Sequence, residues 1–169
     1  MLLFAVAIAA AGLAGTGIVW HTTLQREKEA ELLFIGNQYR AAIASYYART
    51  PGNLRRYPGA LEELLKDPRS PSTVRHLRKL YRDPITNTTD WGLIAAPGGG
   101  IMGVYSKSEA APFKRADFDP PNRVFEDRAN ALKDKMTYKE WQFAHVAPFV
   151  AAQPGRVVVP QRPRTGPAR

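Results

Sequence analysis

Residues Leu2–Tyr47, LLFAVAIAAAGLAGTGIVWHTTLQREKEAELLFIGNQYRAAIASYY, decide the fold. No Lys, Arg, Asp or Glu precedes Arg26, and Leu2–Trp20 is almost wholly apolar. About 19 residues is the length that crosses roughly 30 Å of hydrocarbon as a helix. Charge begins at Arg26-Glu27-Lys28-Glu29-Ala30-Glu31, yet apolar side chains continue at Leu32, Ile35, Tyr39, Ile43 and Tyr46. Their spacings of three and four place them on one helical face. The sequence therefore predicts a single rod, half in lipid and half in water, that runs to about Arg49. Thr50-Pro51-Gly52-Asn53 stops it, because the residue before proline is driven out of the α region.

A cleavable signal peptide needs basic residues ahead of its apolar run, and none stands there. The leader reads as a membrane helix, residues 1–24, with Leu3, Phe4, Ile8, Leu13, Ile18 and Trp20 as its assembly and membrane residues. Gly12, Gly15 and Gly17 would let neighbouring helices approach closely. Arg26 and Lys28 follow the segment, so the positive-inside rule taken literally leans toward a cytoplasmic C-terminal domain.

Beyond the leader, the 169-residue chain leaves about one small domain, with little room for a large catalytic cleft. The absence of cysteine excludes disulfides, a thiol nucleophile and zinc–thiolate sites. The net charge of +9 is spread among interleaved acids with no dense basic run. That pattern predicts a solvated surface and no nucleic-acid partner. From Val146 onward the chain has Arg156, Arg162, Arg164 and Arg169, five prolines and no acid, which predicts a disordered basic tail.

Between rod and tail, a short helix is expected over Ala60–Lys66, with Leu61, Leu64 and Leu65 inward. Ser72 or Thr73 would cap a second, with Val74, Leu77 and Leu80-Tyr81 inward. Trp91–Ala95 and Ile101–Ser106, joined by Pro97-Gly98-Gly99-Gly100, predict a β-hairpin that packs on the amphipathic half of the rod. Phe125, Ala129, Leu132 and Met136 recur at helical spacing, so a helix is expected over 122–144 within a C-terminal extension, 119–169.

No motif in the chain points to catalysis. Gly98-Gly99-Gly100-Ile101-Met102-Gly103 matches GxGxxG in letters, but a strand rather than a helix follows it, so it reads as the hairpin turn. The oxygen-rich loop Asp83–Asp90 offers the donor type calcium takes, without EF-hand spacing; an Asx-rich turn with local hydrogen bonds is the expected reading. His21, His76 and His145 are far apart, and Ser45, Ser106 and Ser108 lie in no nucleophile elbow. Tyr39, Tyr46 and Tyr47 could form an aromatic platform for nucleic acid, but a stripe at this spacing is expected to be core.

Several short motifs recur in a telling order. They are Gln25–Leu33 (QREKEAELL), Tyr39-Arg40, Tyr46-Tyr47, Arg56-Tyr57-Pro58, Leu61-Glu62-Glu63-Leu64-Leu65, Leu80-Tyr81-Arg82-Asp83-Pro84, Asp90-Trp91-Gly92 and Gly103-Val104-Tyr105-Ser106. Over about residues 1–118 this set resembles the bacterial pseudopilins of type II secretion and the type IV pilus class, nearest the major pseudopilin. The resemblance implies an α+β fold, a long N-terminal helix packed on a small antiparallel sheet, with 25–118 as the pilin-like domain. It implies a single-pass protein of the bacterial inner membrane with a periplasmic head. It also implies self-association, contact with other pseudopilins, and assembly by a membrane platform and an ATPase.

The family's basic leader, Gly-Phe processing site and early glutamate have no counterpart in the stretch quoted. Basic residues encoded upstream of Met1 would reconcile the two orientations. No cofactor is expected apart from the calcium option at Asp83–Asp90. Two alternatives stay open: an anchored periplasmic adaptor that binds its partner through Phe118–Arg169, and a DNA-uptake pseudopilin.

Overall fold

A computed structural model describes the backbone of residues 2–50 and 55–147, and side chains from Thr22 onward. Helix α1 runs unbroken over Leu2–Ala48, about 70 Å at 1.5 Å per residue. Its amphipathic half carries the head. Leu32, Ile35, Tyr39, Ile43 and Tyr46, the stripe read from the sequence, are all buried. Among the residues with described side chains, no helix is long and apolar enough to cross a membrane. The expected membrane stretch Leu2–Trp20 lies outside them, as does the basic tail from Pro148.

The hairpin forms where expected: β1 is Gly92–Ala95 and β2 is Ile101–Tyr105, antiparallel, with Leu93 opposite Val104 and a bulge between Ile94 and Ala95. Gly99 (φ 87°) and Gly100 (φ 85°) make the turn in the left-handed region, where a side chain would be strained. A third strand, β3 (Phe143–Ala144), pairs antiparallel with the other edge of β2, giving the order β1-β2-β3. The chain is thus α+β, a long N-terminal helix against a small antiparallel sheet.

Gly36 sets how closely that sheet approaches α1. A Cβ there would collide with the Phe143 ring, so the ring sits directly on the helix backbone. Around it, Phe118, Phe125, Tyr138 and Trp141 build an aromatic cluster. Phe125 stacks on Trp141 at 5.9 Å, and Phe118 meets Trp141 edge-on at 5.4 Å. Such pairs add about 0.5–1.5 kcal/mol each beyond the area they bury. The described residues after Asp119 therefore contribute to the same core as α1 and the hairpin.

Three expected elements are corrected. The helix over Ala60–Lys66 is one 3₁₀ turn, Leu61–Leu64, although Leu64 is fully buried and Leu61 and Leu65 pack against the core as expected. The helix after Ser72 does not form. There the backbone takes distant partners: His76 and Leu77 N–H both donate to Leu64 O, and Tyr81 N–H donates to Tyr39 Oη. Leu77 still turns inward. The helix over 122–144 shrinks to α2, Val124–Leu132, which ends where Lys133 takes φ 50°. The chain then turns back to supply Trp141 to the core and Phe143 to the sheet.

Candidate functional site

The expected assembly residues Leu3, Phe4, Ile8, Leu13, Ile18 and Trp20 belong to α1, and their side chains lie outside the described residues. What is described is how the rod is fastened to the head, and what the head exposes beside it.

At the base of the head, Glu29 projects inward from α1 and is 2 % exposed. Its Oε1 accepts from Phe113 N–H (2.6 Å) and Tyr138 Oη–H (2.8 Å), and its Oε2 from Lys114 N–H (3.1 Å). Gln25 Nε2, one turn earlier, donates to Tyr138 Oη (2.7 Å). Glu29 makes no ion pair among the described residues; backbone dipoles and a phenol hold the carboxylate. Burial and the facing carboxylate push the Tyr138 phenol well above its usual pKa, so it stays a donor.

An open groove of about 770 Å³ runs beside this anchor, between α1 and residues 113–119. Phe34 (58 % exposed) and Phe113 (53 %) line it, together with Arg26, Lys114, Arg115, Asp117 and Asp119. Higher on the rod, Arg40 Nη1 donates to Asn37 Oδ1, Pro121 O and Asn122 Oδ1 and ties the 3₁₀ turn Pro120–Asn122, just ahead of α2, to α1.

Near the top of α1 lies a constellation that the sequence reading missed. Ser45 Oγ is 2.9 Å from His76 Nδ1, and His76 Nε2 is 3.3 Å from Asp67 Oδ2. The order Ser–His–Asp is that of a hydrolytic triad, so its surroundings decide its meaning. Asp67 is also gripped by Arg69, with Nε to Oδ1 at 2.8 Å and Nη2 to Oδ2 at 2.7 Å. The Arg69 hydrogen bond, before all else, holds the Asp67 carboxyl far below the usual carboxylate range. Arg69 in turn donates to Thr50 Oγ1 and Tyr46 O, and its guanidinium lies 3.5 Å from the centre of the Tyr46 ring.

The His76 side chain is 1 % exposed. The neighbouring cavity, about 300 Å³, is lined by Arg49, Asp67, Arg69, Ser70, Pro71 and Val74, without Ser45 or His76. A nucleophile must reach its substrate, and Ser45 Oγ is turned onto the buried His76 ring and lines neither of the two cavities described. The network clamps loop 65–77 onto the end of the rod. Only a folded backbone brings three such separated positions together, so no local spacing signalled it.

The Asp83–Asp90 loop proves to be an Asx-type turn. Asp83 is fully buried and accepts from Ile85 N–H (2.8 Å), Thr86 Oγ1 (3.0 Å) and Ser106 Oγ (2.6 Å). Those bonds tie the loop to the end of β2. Among the described residues no group of three His, Asp or Glu is arranged to hold a metal ion. Of the three tyrosines, Tyr39 and Tyr46 are core, as expected. Tyr47 is half-buried and stacks at 4.6 Å on Tyr57, which donates its Oη–H to His145 O.

No family model and no solved structure matches the chain. Among curated proteins, a cysteine–tRNA ligase of Beijerinckia indica subsp. indica is 24 % identical over 127 residues, 73 % of this chain and 27 % of the ligase. The chain spans about a quarter of the length of that relative. Similarity of that extent assigns neither family nor activity.

Proposed function

We propose that the chain is a pseudopilin-like subunit. Its apolar N-terminal half-helix inserts in the bacterial inner membrane and packs with other copies into a short filament that supports protein export. The head stands on the periplasmic side and performs no chemical step. The observation that carries this reading is the continuity of α1: one helix over Leu2–Ala48, uncharged before Arg26 and core-forming after Leu32. Such a rod links membrane and head with no flexible joint. The Gln25–Tyr138–Glu29 anchor supports it physically, because it fastens the head to the rod near where the uncharged stretch ends. Force on the helix is then carried to the head as a unit. The groove along Phe34 and Phe113 offers apolar surface for a neighbouring subunit or platform component.

The test is a substitution in the assembly stretch. Ile8→Arg places a charge among apolar neighbours, at a cost of about 2.5–3.5 kcal/mol at a membrane helix centre. Expected is loss of the subunit from sheared filaments and loss of export, with the protein still made. Normal incorporation of Ile8→Arg overturns the reading. Crosslinking of the head to a different protein, but never to itself through α1, would favour the adaptor alternative.

A further inference from the structure

The net charge is concentrated in two stretches of the chain. Residues 49–82 hold nine Lys and Arg against three acids, a formal +6. Residues 148–169 hold four arginines and no acid, and everything else sums to −1. Inside 49–82, Asp67 is consumed by Arg69 and His76. The other eight cations, Arg49, Arg55, Arg56, Lys66, Arg75, Arg78, Lys79 and Arg82, are all exposed. None makes an ion pair among the described residues, which include every acid of the chain.

The fold gathers these cations. Arg69 Nη1 and the Arg56 backbone N–H both donate to Thr50 Oγ1, and Arg49 lines a cavity with Arg69, so these arginines share the tip of α1. From there the chain runs back along the helix, touching Ser45 through His76 and Tyr39 through Tyr81. The path covers residues 39–48 of α1, about 14 Å, and carries Arg75, Arg78 and Lys79, all exposed. A helix C-terminus attracts cations through its dipole within the last turn. That explains Arg49 but not the cations lower down.

Beside this stripe, Tyr47, Tyr57 and His145 form a half-buried aromatic group, with the Arg55 guanidinium 5.8 Å from the centre of the Tyr47 ring. Six of these eight cations are arginine, whose planar fork matches phosphate oxygens in pairs.

We propose that this tip and flank bind a single-stranded nucleic acid, with the arginines on its phosphates and the Tyr47–Tyr57 group stacking a base. Arginine beside aromatic rings is the combination that grips single strands without sequence preference. Asp and Glu side chains have no π-face to lay on these rings, whereas every base has one. Such a surface departs from the solvated one expected from interleaved charges, and its test does not depend on filament assembly.

The test uses the full chain in neutral detergent and a labelled oligothymidylate of about 15 nucleotides, read by fluorescence anisotropy. Binding is expected at low salt and should weaken steeply as salt rises. For about four phosphate contacts, the log–log slope is roughly −3. The triple variant Arg55→Ala/Arg75→Ala/Arg78→Ala should bind at least about tenfold more weakly with its melting temperature unchanged. Lys107→Ala/Lys133→Ala/Lys139→Ala, on the rest of the head, should bind as the parent does. Tyr47→Leu should weaken binding roughly tenfold.

Equal binding by the arginine variant overturns the proposal and moves any affinity to the residues after Pro148. Displacement by polyglutamate as effective as by unlabelled oligonucleotide, or unchanged binding by Tyr47→Leu, overturns the nucleic-acid assignment in favour of a general anion surface.

Discussion

The rod is stapled to the head at two levels, by opposite means. At the base, Glu29 is buried without a counter-cation, and two backbone N–H groups and the Tyr138 hydroxyl hold it. At the top, Asp67 sits in an ion pair with Arg69 and a contact with His76, and Arg69 is 20 % exposed. The first staple depends on fixed dipoles in a dry place. The second depends on an ion pair whose carboxylate is also buried but whose Arg69 partner reaches water. A buried carboxylate without its donors is costly, whereas an ion pair near solvent contributes modestly. The base should therefore be the rigid joint and the top the adjustable one.

The largest expected effect tests the base. Glu29→Ala leaves the Phe113 and Lys114 N–H groups and the Tyr138 hydroxyl short of an acceptor, and should cost about 3 kcal/mol. Glu29→Gln keeps one acceptor oxygen and should cost about half that. Urea unfolding followed by tryptophan fluorescence, with Trp91 and Trp141 both buried, measures both. Equal and small losses would show that the base is no firmer than the top.

Between the staples, Gly36→Ala should destabilise by about 2 kcal/mol, even though alanine favours helix. The added methyl meets the Phe143 ring, and overpacking outweighs propensity. A stabilised Gly36→Ala would mean that β3 can lift from α1 without cost.

At the top, Asp67→Asn should cost about 1–2 kcal/mol at neutral pH. The folded carboxyl is held below its unfolded value of about 3.8, chiefly by Arg69, so its contribution is complete above that value. It is lost as pH falls further, because only the unfolded chain takes up the proton readily. The gap between the melting curves of parent and Asp67→Asn should then narrow below about pH 4. A gap constant down to pH 3 would contradict the ion-pair reading.

The smallest effect is at the surface. Lys107→Ala breaks an exposed pair with Asp90 and should change stability by less than about 0.5 kcal/mol.

How far the sequence spoke depended on whether local pattern and final packing agreed. Leu32, Ile35, Tyr39, Ile43 and Tyr46 were legible because a helix buries residues at its own period. The hairpin was legible because its turn needs glycine. The segment 72–82 misled, since its apolar spacing serves an extended path whose N–H groups bond to Leu64 and Tyr39. Strand β3 was hidden because two residues carry no period of their own. Glu29 read as one more charge in a solvated run, and nothing nearby announced partners more than eighty residues on. The Ser45–His76–Asp67 chain was hidden for the same reason.

The central claim, that copies of the apolar half-helix pack together in a membrane, can be tested through a convenience of the composition. The chain has no cysteine, so engineered thiols are the only ones present. Phe4→Cys combined with Leu13→Cys, expressed in full-length chain and oxidised in isolated membranes, should give a ladder of disulfide-linked multimers of this chain. A chain that stays monomeric under oxidation, or that fractionates away from the membrane, would contradict the claim.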